Sequence, residues 1–350
     1  MDESVEVLCG RQGEAGLVTL NRPKALNALN LAMVREMRRA LDAWAQDPAV
    51  TRIVVQGAGE KAFCAGGDIR QLTEDLRAGK RDEALAFWRE EYQLNVAIKR
   101  YPKPYVSLVD GICMGGGVGL SLHGTVRVAG DRYLFAMPEV GIGFFPDVGG
   151  TYALPRLPGQ TGMYLALTGE RVRRADAMML GLATHAVASG NIDGLREALI
   201  AGDPVEVALS RVATDPDQAP LEAERDLIDA CFSADSVIDI LARLDRFAGE
   251  GSEFAAKTAA GMRTKSPTSM NLAFEQVRRG AAMDFEDAMK TEFRIVSRIS
   301  DGHDFHEGVR AVLVDKDNQP RWQPASLEEV DRAVIDHHFA SLGERELEIA

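Results

Sequence analysis

Two carboxylates, Glu139 and Asp147, stand eight positions apart in a stretch of apolar residues, glycines and prolines. The prolines and glycines prevent a regular helix, so we expect a folded loop that could bring both acids together. An aspartate before glycines is often only a local cap, and this reading stays open for Asp147. A glutamate among Phe, Ile, Val and Pro should be partly desolvated. Desolvation raises a carboxyl pKa towards the range that a general acid or base needs.

Two glycine-rich segments offer a different kind of chemistry. They are Cys64-Ala65-Gly66-Gly67-Asp68 and Gly115-Gly116-Gly117. Three consecutive glycines are entropically costly in a simple turn, so close approach of a ligand is as good an explanation as a plain turn. Neither a P-loop nor a G-x-G-x-x-G pattern is present, which argues against those nucleotide sites. Backbone N–H groups at a helix start could instead stabilise an oxyanion.

Other polar residues give weaker signals. Glu91 lies beside the apolar stripe of a predicted helix, where such a residue usually belongs to a solvated face. Ser121 and His123 lack the G-x-S-x-G pattern of a nucleophile, and His303 with His306 lacks a third metal ligand. The sequence therefore predicts neither a serine triad nor a metal site.

The elements that must position these residues follow from the periodicity of apolar side chains. Strands are predicted at 5–8, 17–20, 52–56, 105–109, 126–128 and 133–136, with a helix over 31–46. Beyond residue 190, helices are predicted at 234–247, 253–263, 268–279 and 285–299, and strand signals nearly vanish. Strands followed by helices indicate an α/β core with a helical region after it.

Composition and charge support the same division. The 350 residues include 40 Lys and Arg against 53 Asp and Glu, a formal net charge of −13. Residues 1–190 carry 22 basic and 21 acidic side chains, whereas residues 191–350 carry 18 and 32. We predict an α/β part over 1–190 and a helical part over 191–350. The net charge disfavours nucleic acid as a partner, and the acidic N-terminus without an apolar segment predicts a cytoplasmic protein that does not bind membranes.

Several motifs resemble one superfamily. Residues 21–29, reading NRPKALNAL, the AGGDI segment at 65–69 and the glycines at 115–117 followed by Pro138-Glu139 are similar to the enoyl-CoA hydratase/isomerase (crotonase) superfamily. Within it, residues 89–92, 145–150, 265–270 and 304–317 resemble the 3-hydroxyisobutyryl-CoA hydrolases. The resemblance spans nearly the whole chain. It implies a crotonase-like spiral of ββα units, with the catalytic core over 1–190 and a helical C-terminal region over 191–350.

The resemblance also implies catalytic roles. The amides of Gly67 and Gly116 would hold a thioester carbonyl, and Glu139 would attack it directly or activate a water molecule. Asp147 would bind the 3-hydroxyl group or manage the proton, with Glu91 hydrogen-bonding nearby. Hydratases of the superfamily have a glutamate where this chain has Gly119. The implied reaction is therefore hydrolysis of a short 3-hydroxyacyl-CoA.

Substrate contacts are implied for the same residues and for Asp68, Ile69 and Arg70, while Arg22 and Lys24 are candidates for the CoA phosphates. Lys257, Arg263 and Lys265 are basic candidates in the acidic helical part. An acyl-CoA is the expected partner, no metal or separate cofactor is required because CoA is part of the substrate, and a homo-oligomer is possible. Two alternatives stay open: a hydratase, isomerase or decarboxylase of the superfamily, and a non-catalytic CoA-binding protein of the same fold.

Overall fold

The computed structural model describes residues 5–349. Its strands are β1 Val7–Gln12, β2 Ala15–Leu20, β3 Arg52–Gly57, β4 Ala62–Cys64, β5 Tyr105–Val109, β6 Ile112–Met114, β7 Val126–Ala129, β8 Leu134–Ala136, β9 Val172–Arg173, β10 His185–Val187 and β11 Ala213–Thr214. Its helices are α1 Leu31–Gln46, α2 Ile69–Arg77, α3 Arg81–Lys99, α4 Gly116–Ser121, α5 Gly150–Ala153, α6 Thr161–Thr168, α7 Arg174–Met179, α8 Ile192–Ala201, α9 Val205–Ser210, α10 Arg225–Phe232, α11 Val237–Gly249, α12 Glu253–Met262, α13 Pro267–Gly280, α14 Phe285–Ile299, α15 His303–Val309 and α16 Arg332–Phe339.

The chain forms two compact units, each assembled from separate stretches. The first unit comprises Met1–Asp68, Glu90–Ala136 and Arg171–Pro220, and the second comprises Ile69–Arg89, Met137–Glu170 and Leu221–Ala350. These borders do not coincide with residue 190, because 191–220 belong to the first unit and 137–170 to the second. The proposed division of function at residue 190 stays a prediction.

The first unit is built on two sheets. One has the strand order β1-β2-β3-β5-β7-β10-β11, and the other has the order β4-β6-β8-β9. Strands β2, β3, β5 and β7 pair in parallel, as do β4, β6 and β8. From β3 to β8, successive strands therefore alternate between the two sheets, and helices return the chain between pairs. This is the predicted order of two strands followed by a helix, and the predicted α/β class is confirmed.

Parallel strands buried on both faces explain why the sequence shows unbroken apolar runs here. All five residues of β5 are buried, including Ser107. The core beneath the large sheet contains Val54, Val106 and Val128, against which Leu195 and Leu199 of α8 pack. This core stabilises the parallel strands of the large sheet.

The second unit is helical, and several of its helices begin at side-chain caps. Ser266 caps α13 by accepting the backbone N–H of Ser269 at 3.1 Å, and Asp284 caps α14 by accepting that of Asp287 at 2.8 Å. Both helices bury one apolar face within this unit. Helices α13 and α14 match the predicted spans within two residues. No helix over residues 5–349 is long and apolar enough to cross a bilayer.

Candidate functional site

The first glycine-rich loop of the first unit leaves one amide without a backbone partner. Leu29 donates its N–H to the Gly66 carbonyl at 2.8 Å and accepts from the N–H of Asp68 at 2.8 Å. The Gly67 amide between these two bonds has no acceptor among the described residues. Gly66 has a φ of 116°, a conformation that favours glycine. The loop thus presents the Gly67 N–H as a donor.

The second glycine segment starts helix α4, and a different structural constraint favours glycine at each of its three positions. Gly115 has a φ of 46° at the helix start. A Cβ on Gly117 would lie 2.3 Å from the Cys64 carbonyl oxygen, so packing excludes a side chain. A Cβ on Gly116 would lie 2.5 Å from Glu91 Oε1. As the first residue of the helix, Gly116 has an amide with no intrahelical acceptor.

The two glycine segments are neighbours within the first unit. A Cβ built on Gly66 would lie 3.8 Å from the Gly116 nitrogen, and Glu91 lies beside Gly116 and is 2% exposed. The structure therefore brings together three predicted site residues, Gly67, Gly116 and Glu91. Two amide donors close to each other are the arrangement that stabilises a developing oxyanion.

The residues that the sequence predicts to contact the CoA phosphates and the substrate differ in their surroundings. Arg22 donates to Asp68 at 2.9 Å, to the Ala28 carbonyl at 2.7 Å and to Glu6 at 2.9 Å. Through these bonds, Arg22 stabilises the glycine-rich loop that ends at Asp68. Its assignment to CoA phosphates, like that of Lys24, stays a prediction.

Ile69 and Arg70 begin α2 and belong to the second unit. Arg70 is exposed and forms an ion pair with Glu74 at 3.2 Å. Their contact with a substrate stays a prediction.

In the second unit, Glu139 opens a short 3₁₀ turn, Glu139–Ile142, directly after Pro138. Its side chain is buried, and the described part of the chain offers Oε2 no hydrogen-bond partner. Burial raises the pKa of Glu139 well above its ordinary value, and the nearby charges of Asp147 and Glu292 raise it further. A buried carboxyl oxygen without a partner destabilises the fold, and such a cost is typical of functional sites.

Asp147 lies in the next turn of the same loop and is also buried. Its carbonyl accepts the Gly150 N–H at 2.8 Å. Val148 and Gly149 follow it with φ values of 51° and 91°. A valine with positive φ is strained, so its surroundings must hold it there. The loop therefore carries Asp147 in a conformation that the neighbouring side chains impose.

The residues between the two acids are anchored by aromatic packing. Phe144 stacks on Trp88 with ring centroids 5.9 Å apart, contacts Phe305 at 5.1 Å and lies 4.7 Å from Phe145. All four rings are buried. Such packing restricts the backbone of the loop that carries the two acids.

The segment at 304–317 supports the same turn by close backbone packing. A Cβ on Gly143 would lie 2.1 Å from the Asp304 carbonyl oxygen, and one on Gly308 would lie 2.3 Å from the Ile142 carbonyl carbon. Asp304 is itself held by Ser266 Oγ at 2.6 Å. The motif around 304 thus forms the support beneath Glu139 rather than a histidine metal site. No group of three or more possible metal ligands occurs within residues 5–349.

Two residues that the sequence analysis missed hold the Asp147 loop. Glu292 accepts N–H groups of Gly149 and Thr151, and Gln276 donates to the Pro146 carbonyl and to Thr151 Oγ1. The signal for Glu292 was present, since it occupies the buried stripe of α14 among apolar residues. A charged residue at such a position is rare unless it is paired.

The enoyl-CoA hydratase/isomerase family model matches residues 15–339. The chain belongs to this family. The curated 3-hydroxyisobutyryl-CoA hydrolase, mitochondrial, of Danio rerio is 48% identical over 358 residues, covering 98% of this chain and 92% of that protein. The human protein of the same name is 46% identical over 356 residues, covering 99% and 91%. These similarities confirm the resemblance drawn from the motifs.

Solved structures confirm the crotonase-like fold. A carnitinyl-CoA dehydratase from Mycobacterium thermoresistibile has a TM-score of 0.93 at 44% identity and covers 98% of both chains. An enoyl-CoA hydratase from Rhodobacter sphaeroides 2.4.1 has a TM-score of 0.91 at 38% identity, covering 99% of this chain and 100% of the other.

The predicted cytoplasmic location is wrong by this comparison. The relatives in zebrafish, chicken and human are named as mitochondrial proteins, at 45–48% identity over nearly the full chain. The prediction relied on the composition of the first residues, which is a weak indicator beside similarity over the whole chain.

Proposed function

We propose that this protein hydrolyses a short 3-hydroxyacyl-CoA thioester, 3-hydroxyisobutyryl-CoA, to the free acid and CoA. The observation that carries the proposal is the desolvated Glu139 next to Asp147 in a loop with fixed conformation. The names of the curated relatives support the same reaction. In this role the enzyme takes part in valine catabolism.

Each set of residues contributes one part of the chemistry. The amides of Gly67 and Gly116 stabilise negative charge on the thioester oxygen, an effect typically worth about 10²–10³ in rate for each donor. Glu139 attacks the carbonyl carbon or removes a proton from the attacking water, and CoA leaves as the thiol. Asp147 binds the 3-hydroxyl group or accepts the proton. The reaction needs no separate cofactor.

A second candidate is hydration of an enoyl-CoA, favoured by the descriptions of the two similar solved structures. The residue that argues against it is Gly119, which lies in α4 where hydratases of the superfamily have a catalytic glutamate. With one glutamate instead of two, the chain lacks half of the acid–base pair.

The test measures both reactions on one preparation. Thiol release from 3-hydroxyisobutyryl-CoA, 3-hydroxypropionyl-CoA and acetyl-CoA is followed with a coloured disulfide reagent, and crotonyl-CoA hydration is followed by ultraviolet absorbance. We expect thiol release with the two 3-hydroxyacyl substrates and little hydration. Hydration without thiol release would instead establish the second candidate. A homo-oligomer, still a prediction, can be checked by light scattering of the same sample.

The pH dependence should report the raised pKa of Glu139. Because Glu139 acts only when ionised, kcat/KM should fall as the pH is lowered, with a midpoint above the ordinary glutamate value of 4.5. Asp147→Asn removes a negative charge that raises this pKa, so the midpoint should move to lower pH even though the rate drops. An acid limb at or below the ordinary value would contradict the assignment.

Lys265 is one of the basic residues predicted to contact the CoA phosphates, and its surroundings are compatible with that role. It is half-buried, burial lowers its pKa, and no ion pair of its ammonium group is found over residues 5–349. Its Nζ lies 3.6 Å from where a Cβ on Gly141 would be, close to the turn of Glu139. By contrast, Lys257 is exposed and lies 3.9 Å from Glu170.

Lys265→Ala should therefore raise the Kd of CoA roughly 10-fold or more, as expected when a charge-assisted hydrogen bond is lost. Lys257→Ala is the matched control and should leave affinity unchanged. Calorimetric titration with CoA provides the measurement. Equal affinities for the wild type and Lys265→Ala would remove Lys265 from the CoA site.

A further inference from the structure

A carboxylate far along the chain reaches into the loop that carries Asp147. Glu292 lies in the middle of α14 and is fully buried. Its Oε2 accepts the Gly149 N–H at 2.8 Å, and its Oε1 accepts the Thr151 N–H at 2.9 Å. The four-residue helix α5 begins here, and its own N-cap is Gly149, which has no side chain to cap it. Glu292 supplies the missing cap from 143 positions away.

The two hydrogen bonds to Glu292 hold the backbone that follows Val148. They fall on the residues directly after Val148, whose φ of 51° is strained for a β-branched side chain. Strain of this kind persists only where surrounding contacts impose it. Gln276 of α13 contributes from the other side by bonding Pro146 and Thr151. The backbone on both sides of Asp147 is thus held in place by side chains of α13 and α14.

Glu292 is also an electrostatically unfavourable choice for a purely structural cap. It lies near the charges of Asp147 and Glu139, and burial together with Asp147 raises its pKa to about 8. A serine or threonine cap would stabilise a helix start without adding a third buried acid. A carboxyl group has two separate oxygens, and here each accepts one backbone N–H group, so the pair of bonds fixes the relative direction of the two groups.

We propose that Glu292 is a positioning residue that holds Val148 and Gly149 in their left-handed conformation and thereby aims the Asp147 carboxylate at the substrate. This inference rests on the proposed thioester hydrolysis. Glu292 acts through the backbone and does not contact the reacting atoms.

Two substitutions test the role. Glu292→Gln keeps the shape but replaces one acceptor oxygen with an NH₂ group, and Glu292→Asp keeps the carboxyl group but shortens the reach. Both should lower kcat for 3-hydroxyisobutyryl-CoA roughly 10–100-fold with KM little changed, because misplacing a catalytic group by about 1 Å costs on this order. Adding Val148→Gly to Glu292→Gln should restore part of kcat, since glycine adopts positive φ without strain.

Glu275→Gln is the control for a simple loss of stability. Glu275 lies on α13 and forms ion pairs with Arg279 at 3.1 Å and Arg332 at 2.6 Å, neither of which belongs to the Asp147 loop. This variant should lower the thermal midpoint while leaving kcat intact. Wild-type kcat in Glu292→Gln, or no recovery in the double variant, would overturn the positioning role. If the wild type itself releases no thiol, the proposed function fails instead.

Discussion

Glu139→Gln is expected to lower kcat for 3-hydroxyisobutyryl-CoA by about 10²–10⁴-fold, the usual contribution of a positioned base or nucleophile. The amide has nearly the same volume as the carboxylate, and it removes an ionisable group from a site where burial disfavours the charged form. The variant should therefore fold at least as stably as the wild type. Thiol release and thermal unfolding, measured on the same samples, check both halves of this expectation.

Binding provides the control for this substitution. The affinity for CoA should be unchanged, because residue 139 acts on the acyl group rather than on the nucleotide part. A variant that binds CoA normally and turns over at more than a tenth of the wild-type rate would remove Glu139 from the chemical step. Loss of affinity together with rate would indicate a disturbed loop instead.

Gly143→Ala is expected to destabilise the second unit by about 3 kcal/mol or more. Gly143 has a φ of 70°, which L-residues rarely adopt, and its Cβ would lie 2.1 Å from the Asp304 carbonyl oxygen. The strain and the backbone clash each cost roughly 1–3 kcal/mol. The thermal midpoint should fall by roughly 6 °C or more, and kcat should fall as well because Glu139 begins the same turn.

Gly141→Ala is a matched control only two positions away. Its φ is not positive, and a Cβ there meets only the end of the Lys265 side chain at 3.6 Å, an ordinary contact. This variant should lose no more than about 1 kcal/mol. Similar thermal midpoints for the two alanine variants would contradict the close packing of 143 against 304.

The sequence predicted the regular elements well because their signals are local. Helix α1 has the predicted bounds of 31–46, and β5 has the predicted bounds of 105–109. Helix α14 also spans the predicted 285–299. Each of these elements buries an apolar face whose period is visible within its own length. The two acids at 139 and 147 were likewise predicted from their apolar surroundings.

What escaped prediction depends on contacts between distant positions. The capping of Gly149 and Thr151 by Glu292 joins residues more than 140 positions apart, and no local pattern at 149 indicates it. The close approach of Gly143 to Asp304 is equally non-local. The helical part predicted over 191–350 is subject to the same limit. Its periodicity shows that helices form but not what they pack against.

The dependence of the Glu139 turn on Gly308 and Asp304 has a consequence for biosynthesis. A nascent chain that has emerged only as far as α12 has both acids but lacks the packing that fixes them. We therefore expect hydrolytic activity to begin only after residue 308 has left the ribosome. The two acids are thus synthesised well before the residues that hold them in place. We expect a truncated or stalled product to be unable to hydrolyse acyl-CoA.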